Sequence, residues 1–194
     1  MSIKVSSDSD QGSSMPESLL LESSQGCIGA IYAVLRQESS SGNREAKLRG
    51  LQGHLLALYS AALSTPVSDY EEYQYEESER EYIVTEEQYN AVQDSIAELM
   101  GEYDTIIDGS IDVAQPEYES KAFTVSELVA DVFQEIVDFV WNYRIDVQTD
   151  EIKGMLIYDY LQGFTHTWGK KVLIIARAIH DAIEMEMEGD GEYE

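Results

Sequence analysis

Three histidines and one cysteine offer the richest side-chain chemistry in this sequence. His166 sits in the run Phe164-Thr165-His166-Thr167-Trp168-Gly169, and His180 follows one helix length later. Neutral imidazoles beside carboxylates are ligands for zinc or a di-metal centre. A carboxylate-bridged pair of metals in a helical bundle uses Glu-x-x-His, with both side chains on one helix face. Position 163 is Gly, position 177 is Arg, and Leu51 stands three residues before His54. The spacing therefore favours a structural reading: Trp168 anchors the core and His166 hydrogen-bonds across a helix junction. His180 and Glu184 lie one helical turn apart and can pair. No metal ligand, cofactor or catalytic residue is assigned from this group.

Cys27 would be a nucleophile only beside a base, and it falls on an apolar helix face, where a thiol is inert. No Gly-x-Ser-x-Gly elbow, P-loop or dinucleotide fingerprint is present. Carboxylate pairs suited to glycoside hydrolysis arise by chance among 38 acidic residues. No EF-hand spacing supports a calcium loop.

The segment 68–82 is the other feature with chemical character. Tyr70, Tyr73, Tyr75 and Tyr82 are interleaved with acidic residues that include Glu76 and Glu77, and Arg80 is the only basic residue. Tyrosine supplies contact area at low entropic cost, and glutamate steers toward a basic surface. This pattern suits a partner-docking segment. The competing reading is an acidic connector that keeps the chain soluble and contributes nothing to the core.

These residues must be positioned by a chain of 194 residues, a length suited to one domain. Hydrophobic residues make up 43% and charged residues 26%, an ordinary globular balance. The 38 acidic and 12 basic residues give a net charge of −26. Such a surface repels phosphate backbones and anionic lipid heads, so the expected partner is a protein with a basic surface, with no nucleic acid and no membrane. No unbroken apolar run, residues 172–176 included, approaches the length that spans a bilayer. The Ser/Asp-rich N-terminus lacks the apolar stretch of a signal peptide. With a single cysteine, these features point to the cytoplasm.

Residues 1–16 read as a disordered tail and residues 185–194 as an acidic tail, flanking one domain over residues 17–184. Leu20, Cys27, Ile28, Ile31 and Leu35 lie near one helix face, and Leu48, Leu51, Leu55, Leu58 and Ala62 on another. Pro66 falls where the second helix should already have stopped. Thr85 with Gln88, and Thr124 with Glu127, have capping-box spacing. Gly101 suits the residue after a helix end. The run from Leu128 to Tyr143 is the longest apolar stripe and predicts the central helix. Thr149 caps a fifth helix carrying Ile152, Leu156 and Tyr160. Gly163 and Gly169 bracket a short break before a sixth, with Val172, Leu173, Ala176, Ile179 and Ile183. No segment alternates at period two over a strand's length; residues 106–113 come nearest. The expectation is an all-α bundle of about six helices.

Three stretches also carry a resemblance. Tyr82-Ile83-Val84-Thr85-Glu86-Glu87-Gln88-Tyr89 resembles the opening of the third helix in a bacterial family known as domain of unknown function 5063. Ser126-Glu127-Leu128 with Asp131-Val132-Phe133 is similar to its long helix. The run from Phe164 to Gly169, followed by Ala176-Arg177-Ala178-Ile179-His180, resembles its closing signature, placing His166, Trp168, Gly169, Arg177 and His180 on the family pattern. The resemblance spans roughly residues 25–184 and implies an all-α fold without an activity. The chain departs from the pattern at Thr167, where the family has histidine before the tryptophan, and at Lys170 and Lys171, where a histidine follows the glycine. The functional expectation is a non-catalytic interaction or adaptor module. The alternatives are an acidic nucleic-acid mimic and a metal-dependent enzyme using His166 and His180.

Overall fold

The computed structural model describes residues 15–36, 44–73, 80–108, 121–144 and 149–189. The six expected helices form: α1 (Met15–Leu35), α2 (Arg44–Leu63), α3 (Glu86–Met100), α4 (Val125–Tyr143), α5 (Asp150–Gly163) and α6 (Gly169–Gly189). Helix α1 begins just before the expected edge of the N-terminal tail, most of which lies outside the described residues, as do residues 37–43 and 190–194.

The local signals work as their chemistry requires. The Thr85 hydroxyl accepts the Gln88 amide while the Gln88 side chain accepts the Thr85 amide, so both halves of the capping box close. The Thr124 hydroxyl accepts the Glu127 amide, but among the described residues the Glu127 side chain does not bond back, so the second expected box closes on one side only. Thr149 caps α5 by accepting the Ile152 amide. Gly101 ends α3 at φ +57° and ψ −128°, a conformation that only glycine enters freely.

Helix α4 is the centre of the bundle and packs against α1, α3, α5 and α6. Its buried side chains include Val129, Val132, Phe133, Ile136, Phe139 and Val140. Helix α2 buries the expected leucines and Ala62. The Gln52 side chain donates to the Ala176 carbonyl at 2.8 Å, and Tyr59 meets Phe164 edge-on at 5.0 Å. These two contacts run α2 and α6 antiparallel. By length and composition α1 could cross a membrane over residues Pro16–Leu35, at mean hydropathy 1.3. Polar and small residues interrupt it, so a reading by unbroken apolar runs passes it over. Its inner face, Leu20, Ser24, Cys27, Ile31 and Val34, is buried in the bundle.

Four expectations need correction. The sequence predicts no strand, yet β1 (Thr105–Asp108) pairs antiparallel with β2 (Lys121–Thr124), placing Ile106 opposite Phe123. Ile106 and Phe123 are half-buried against the core, too short a pattern for alternation to show. Second, the acidic connector begins as a 3-10 segment, Val67–Tyr73, packed on α5, and Tyr70 joins the core. Third, residues 163–169 contain no break: a π-helical turn, Phe164–Trp168, carries α5 directly into α6. Fourth, Ile152 lies in the first turn of α5 and is 38% exposed, while Leu156, Ile157, Tyr160 and Leu161 form the buried face.

Candidate functional site

Residues 80–84 run along α4 as an extended strap immediately before the Thr85 cap. Two buried polar side chains, Asp138 and Asn142, sit one turn apart on α4 and hold it. The Asn142 side chain accepts the Glu81 amide at 3.0 Å and donates to the Glu81 carbonyl at 2.9 Å. It also donates to the Asp138 carbonyl at 2.7 Å. Asp138 Oδ1 accepts the amides of Ile83 at 2.9 Å and Val84 at 3.3 Å. Asp138 Oδ2 is buried with no hydrogen-bond partner among the described residues. Buried polar groups are tolerated when hydrogen-bonded, and Asp138 Oδ1 and the Asn142 amide find most of their partners in the strap backbone. Arg80 reaches Glu135 at 3.4 Å and lies 5.1 Å from the centre of the Tyr82 ring. Tyr82 itself is 72% exposed.

The candidate docking residues therefore separate. Tyr70 is buried, and its hydroxyl donates to Glu17 at 2.9 Å. It is a core residue and not a docking one, because the 3-10 turn folds its ring inward. Tyr82 stands outward on the strap. Tyr73 closes the 3-10 segment, and Tyr75, Glu76 and Glu77 lie outside the described residues.

The closing signature also divides. Trp168 is buried, donates Nε1–H to the Tyr160 carbonyl at 3.1 Å and stacks on the Tyr160 ring at 4.9 Å. Tyr160 in turn stacks on Phe139 at 4.0 Å. Burial pushes the Tyr160 hydroxyl well above the usual phenol range. The Gly169 amide bonds the Phe164 carbonyl five residues back, the π-type bond. A Cβ at Gly169 would lie 2.4 Å from that same carbonyl oxygen, so the turn requires glycine. The hydroxyls of Thr165 and Thr167 fold back onto the carbonyls of Leu161 and Gly163, at 3.0 and 2.8 Å. His166 projects outward between them and forms no hydrogen bond with the described residues, unlike the cross-junction bond expected of it. The helix register turns its ring to solvent. Arg177 and His180 are also exposed, and Arg177 lies 3.7 Å from Asp181. Among the described residues no three His, Cys, Asp or Glu side chains converge.

A third constellation escapes sequence reading altogether. Asp131 on α4 accepts the Tyr89 hydroxyl from α3 at 2.7 Å and the Lys171 ammonium from α6 at 2.7 Å. Burial, and then the Asp131 carboxylate, raise the Tyr89 hydroxyl well above its ordinary value. Tyr89 is therefore a proton donor held in place and not a base. The trio pins three helices together. Its members belong to or adjoin the three stretches that carry the resemblance, which is the one signal that could have found it. Cys27 is fully buried and its thiol is pushed up to about 12, so it stays protonated and unreactive.

The model of a family described as "Domain of unknown function (DUF5063)" matches residues 30–184. The fold is similar to a crystal structure of protein BF1032 from Bacteroides fragilis. That likeness has a TM-score of 0.65 and 20% sequence identity, over 87% of this chain and 92% of the other. At this identity the likeness is one of fold. Among curated proteins none matches.

Proposed function

This chain belongs to the DUF5063 family, and from that premise, which supplies a fold and no activity, we propose that it is a non-catalytic protein-interaction module whose docking element is the strap at residues 80–84. One observation carries the reading. Two buried polar side chains are committed to the backbone of this segment, while Tyr82, between the pinned residues Glu81 and Ile83, is left 72% exposed. A connector needs no such anchoring. A docking segment gains from it, because a backbone ordered in advance loses less entropy on binding. Tyr82 supplies the aromatic anchor and the exposed Glu81 the steering charge toward a basic protein surface. A cytoplasmic setting, with neither nucleic acid nor lipid as partner, belongs to the same proposal and rests on the net charge of −26.

The nucleic-acid-mimic reading needs carboxylates spaced like phosphates over one ordered face, and nothing in the geometry favours it. A metal-dependent activity through His166 and His180 is supported less than docking, since each projects to solvent and no ligand cluster forms among the described residues.

A photo-crosslinking residue placed at Tyr82, with the exposed Ala122 of β2 as control position, tests the proposal in cells. A discrete adduct formed from position 82 and not from 122 supports it. Identical adduct profiles from the two positions, or none from 82, end it.

A further inference from the structure

The net charge conceals an uneven surface. Residues 46–68, which include most of α2, and residues 160–180, which include the π turn and most of α6, contain no aspartate or glutamate, in a chain with 38. All three histidines fall in these two stretches, and all three are exposed. The fold places the stretches side by side through the Gln52–Ala176 bond and the Tyr59–Phe164 contact. Between those two contacts, Leu56 on α2 and Leu173 on α6 are 44% and 46% exposed. Leu63, two turns beyond Leu56, is 66% exposed. On α6, Lys170, Leu173, Arg177 and His180 follow one another at spacings of three and four, and all are exposed. They form one outer stripe. Arg177 has Asp181 at 3.7 Å, but both side chains are largely solvated, so the pair holds little of its charge.

Exposed leucines bordered by cations, on a chain that is elsewhere acidic, need a partner of matching chemistry. The geometry points to a docking face along α2 and α6 for an acidic amphipathic helix of a partner protein. Leu56 and Leu63 are seven residues apart, the repeat of two helical turns, and Leu173 lies on the neighbouring helix between the same two contacts. A partner helix laid along α2 and α6 would present apolar residues at the same repeat. Its carboxylates would meet Lys170 and Arg177. A nucleic acid suits the face less well, since a phosphate backbone offers no apolar side chains to the leucines and feels the full repulsion of the chain. This face is independent of the strap: it is built from other helices and takes a partner of opposite charge.

The test uses the full chain and a fluorescent helical peptide of leucine and glutamate, with its leucine–lysine counterpart as control, followed by anisotropy. The leucine–glutamate peptide is expected to bind saturably. Reversing the two cations together (Lys170→Glu with Arg177→Glu) should weaken it at least tenfold. Removing the apolar contacts (Leu56→Ser with Leu173→Ser) should do the same, while Tyr82→Ala leaves it unchanged. All four substituted face residues are exposed, so the fold should survive, which circular dichroism checks. Three results would overturn the inference. One is an absence of saturable binding, another is binding indifferent to both double variants, and the third is displacement of the peptide by single-stranded oligothymidylate. Loss of binding with Tyr82→Ala would merge this face with the strap and refute its independence.

Discussion

Replacing Gly169 by alanine should be among the most damaging single-methyl changes in the chain. The added Cβ would stand 2.4 Å from the Phe164 carbonyl oxygen and 2.7 and 2.9 Å from two carbons of the Phe164 ring. The oxygen belongs to the backbone and accepts the Gly169 amide itself, so moving it breaks the bond that defines the π turn. The ring is wedged between Tyr59 and Trp168, with centroids 5.0 Å from each, and has little room to retreat. Overpacking of this kind costs about 1–3 kcal/mol. A weakened backbone hydrogen bond adds roughly 1 kcal/mol. The better helix propensity of alanine returns about 1 kcal/mol. The expected net loss is therefore roughly 1–3 kcal/mol, a large fraction of the typical stability of a domain. Urea unfolding, read as a shift in midpoint at constant slope, measures it. Gly53 provides the contrast, since a Cβ there meets nothing within 4 Å and lies mid-helix on α2. Gly53→Ala should stabilise by about 1 kcal/mol. If Gly169→Ala matches or exceeds Gly53→Ala in stability, the account of the π turn is wrong.

The remaining predictions concern the polar groups inside the bundle. Asp138→Ala removes the acceptor of two strap amides and should cost about 2–4 kcal/mol, with faster hydrogen exchange at Ile83 and Val84. Unchanged exchange there would remove the basis for an anchored strap. Tyr89→Phe deletes one hydrogen bond to a partly exposed carboxylate and should cost about 1 kcal/mol by the same unfolding assay. Cys27 should resist a thiol reagent in the native state and react on unfolding. Its thiol keeps its proton in the fold up to about 12, against an ordinary value of 9.0. Its contribution to stability is thus complete below pH 9.0 and is lost as the pH rises toward 12. A Cys27→Ser comparison of unfolding midpoints across that window isolates the effect.

The features legible in the sequence are those whose physics is local. A cap at Thr85 or Thr149 involves residues three apart, and the stripes of α2 and α4 repeat within one element. Their apolar content matches their burial. What escaped depends on partners far along the chain. Tyr89 and Asp131 are 42 residues apart, and Asp131 and Lys171 are 40 apart. Asp138 and Asn142 were visible as polar interruptions, one turn apart, within an apolar helix. Their role is set by the strap, some 55 to 61 residues earlier. The signature run was legible in part. Trp168 was rightly expected in the core, but the i to i+5 register could not be read from a pair of glycines. His166 projects outward in consequence, and Tyr70 turns inward because a 3-10 turn follows Pro66 where a loose connector was expected.

A net charge of −26 describes the whole chain, and the partner at one face responds to less than that. Fixed charges act over a Debye length of about 30 Å at 0.01 M salt, about 8 Å at physiological salt and about 3 Å at 1 M. At the lowest salt an acidic helix approaching α2 and α6 meets the field of every carboxylate on the molecule and is repelled. At physiological salt the distant carboxylates are screened, and Lys170 and Arg177 dominate at contact. At the highest salt those local pairs are screened as well. Affinity for the leucine–glutamate peptide should therefore pass through a maximum at intermediate salt. Anisotropy titrations across that range read it directly. A steady fall would show that the distant carboxylates never reach this face. A steady rise would show that the contact is apolar alone, and that the two cations have no part in it.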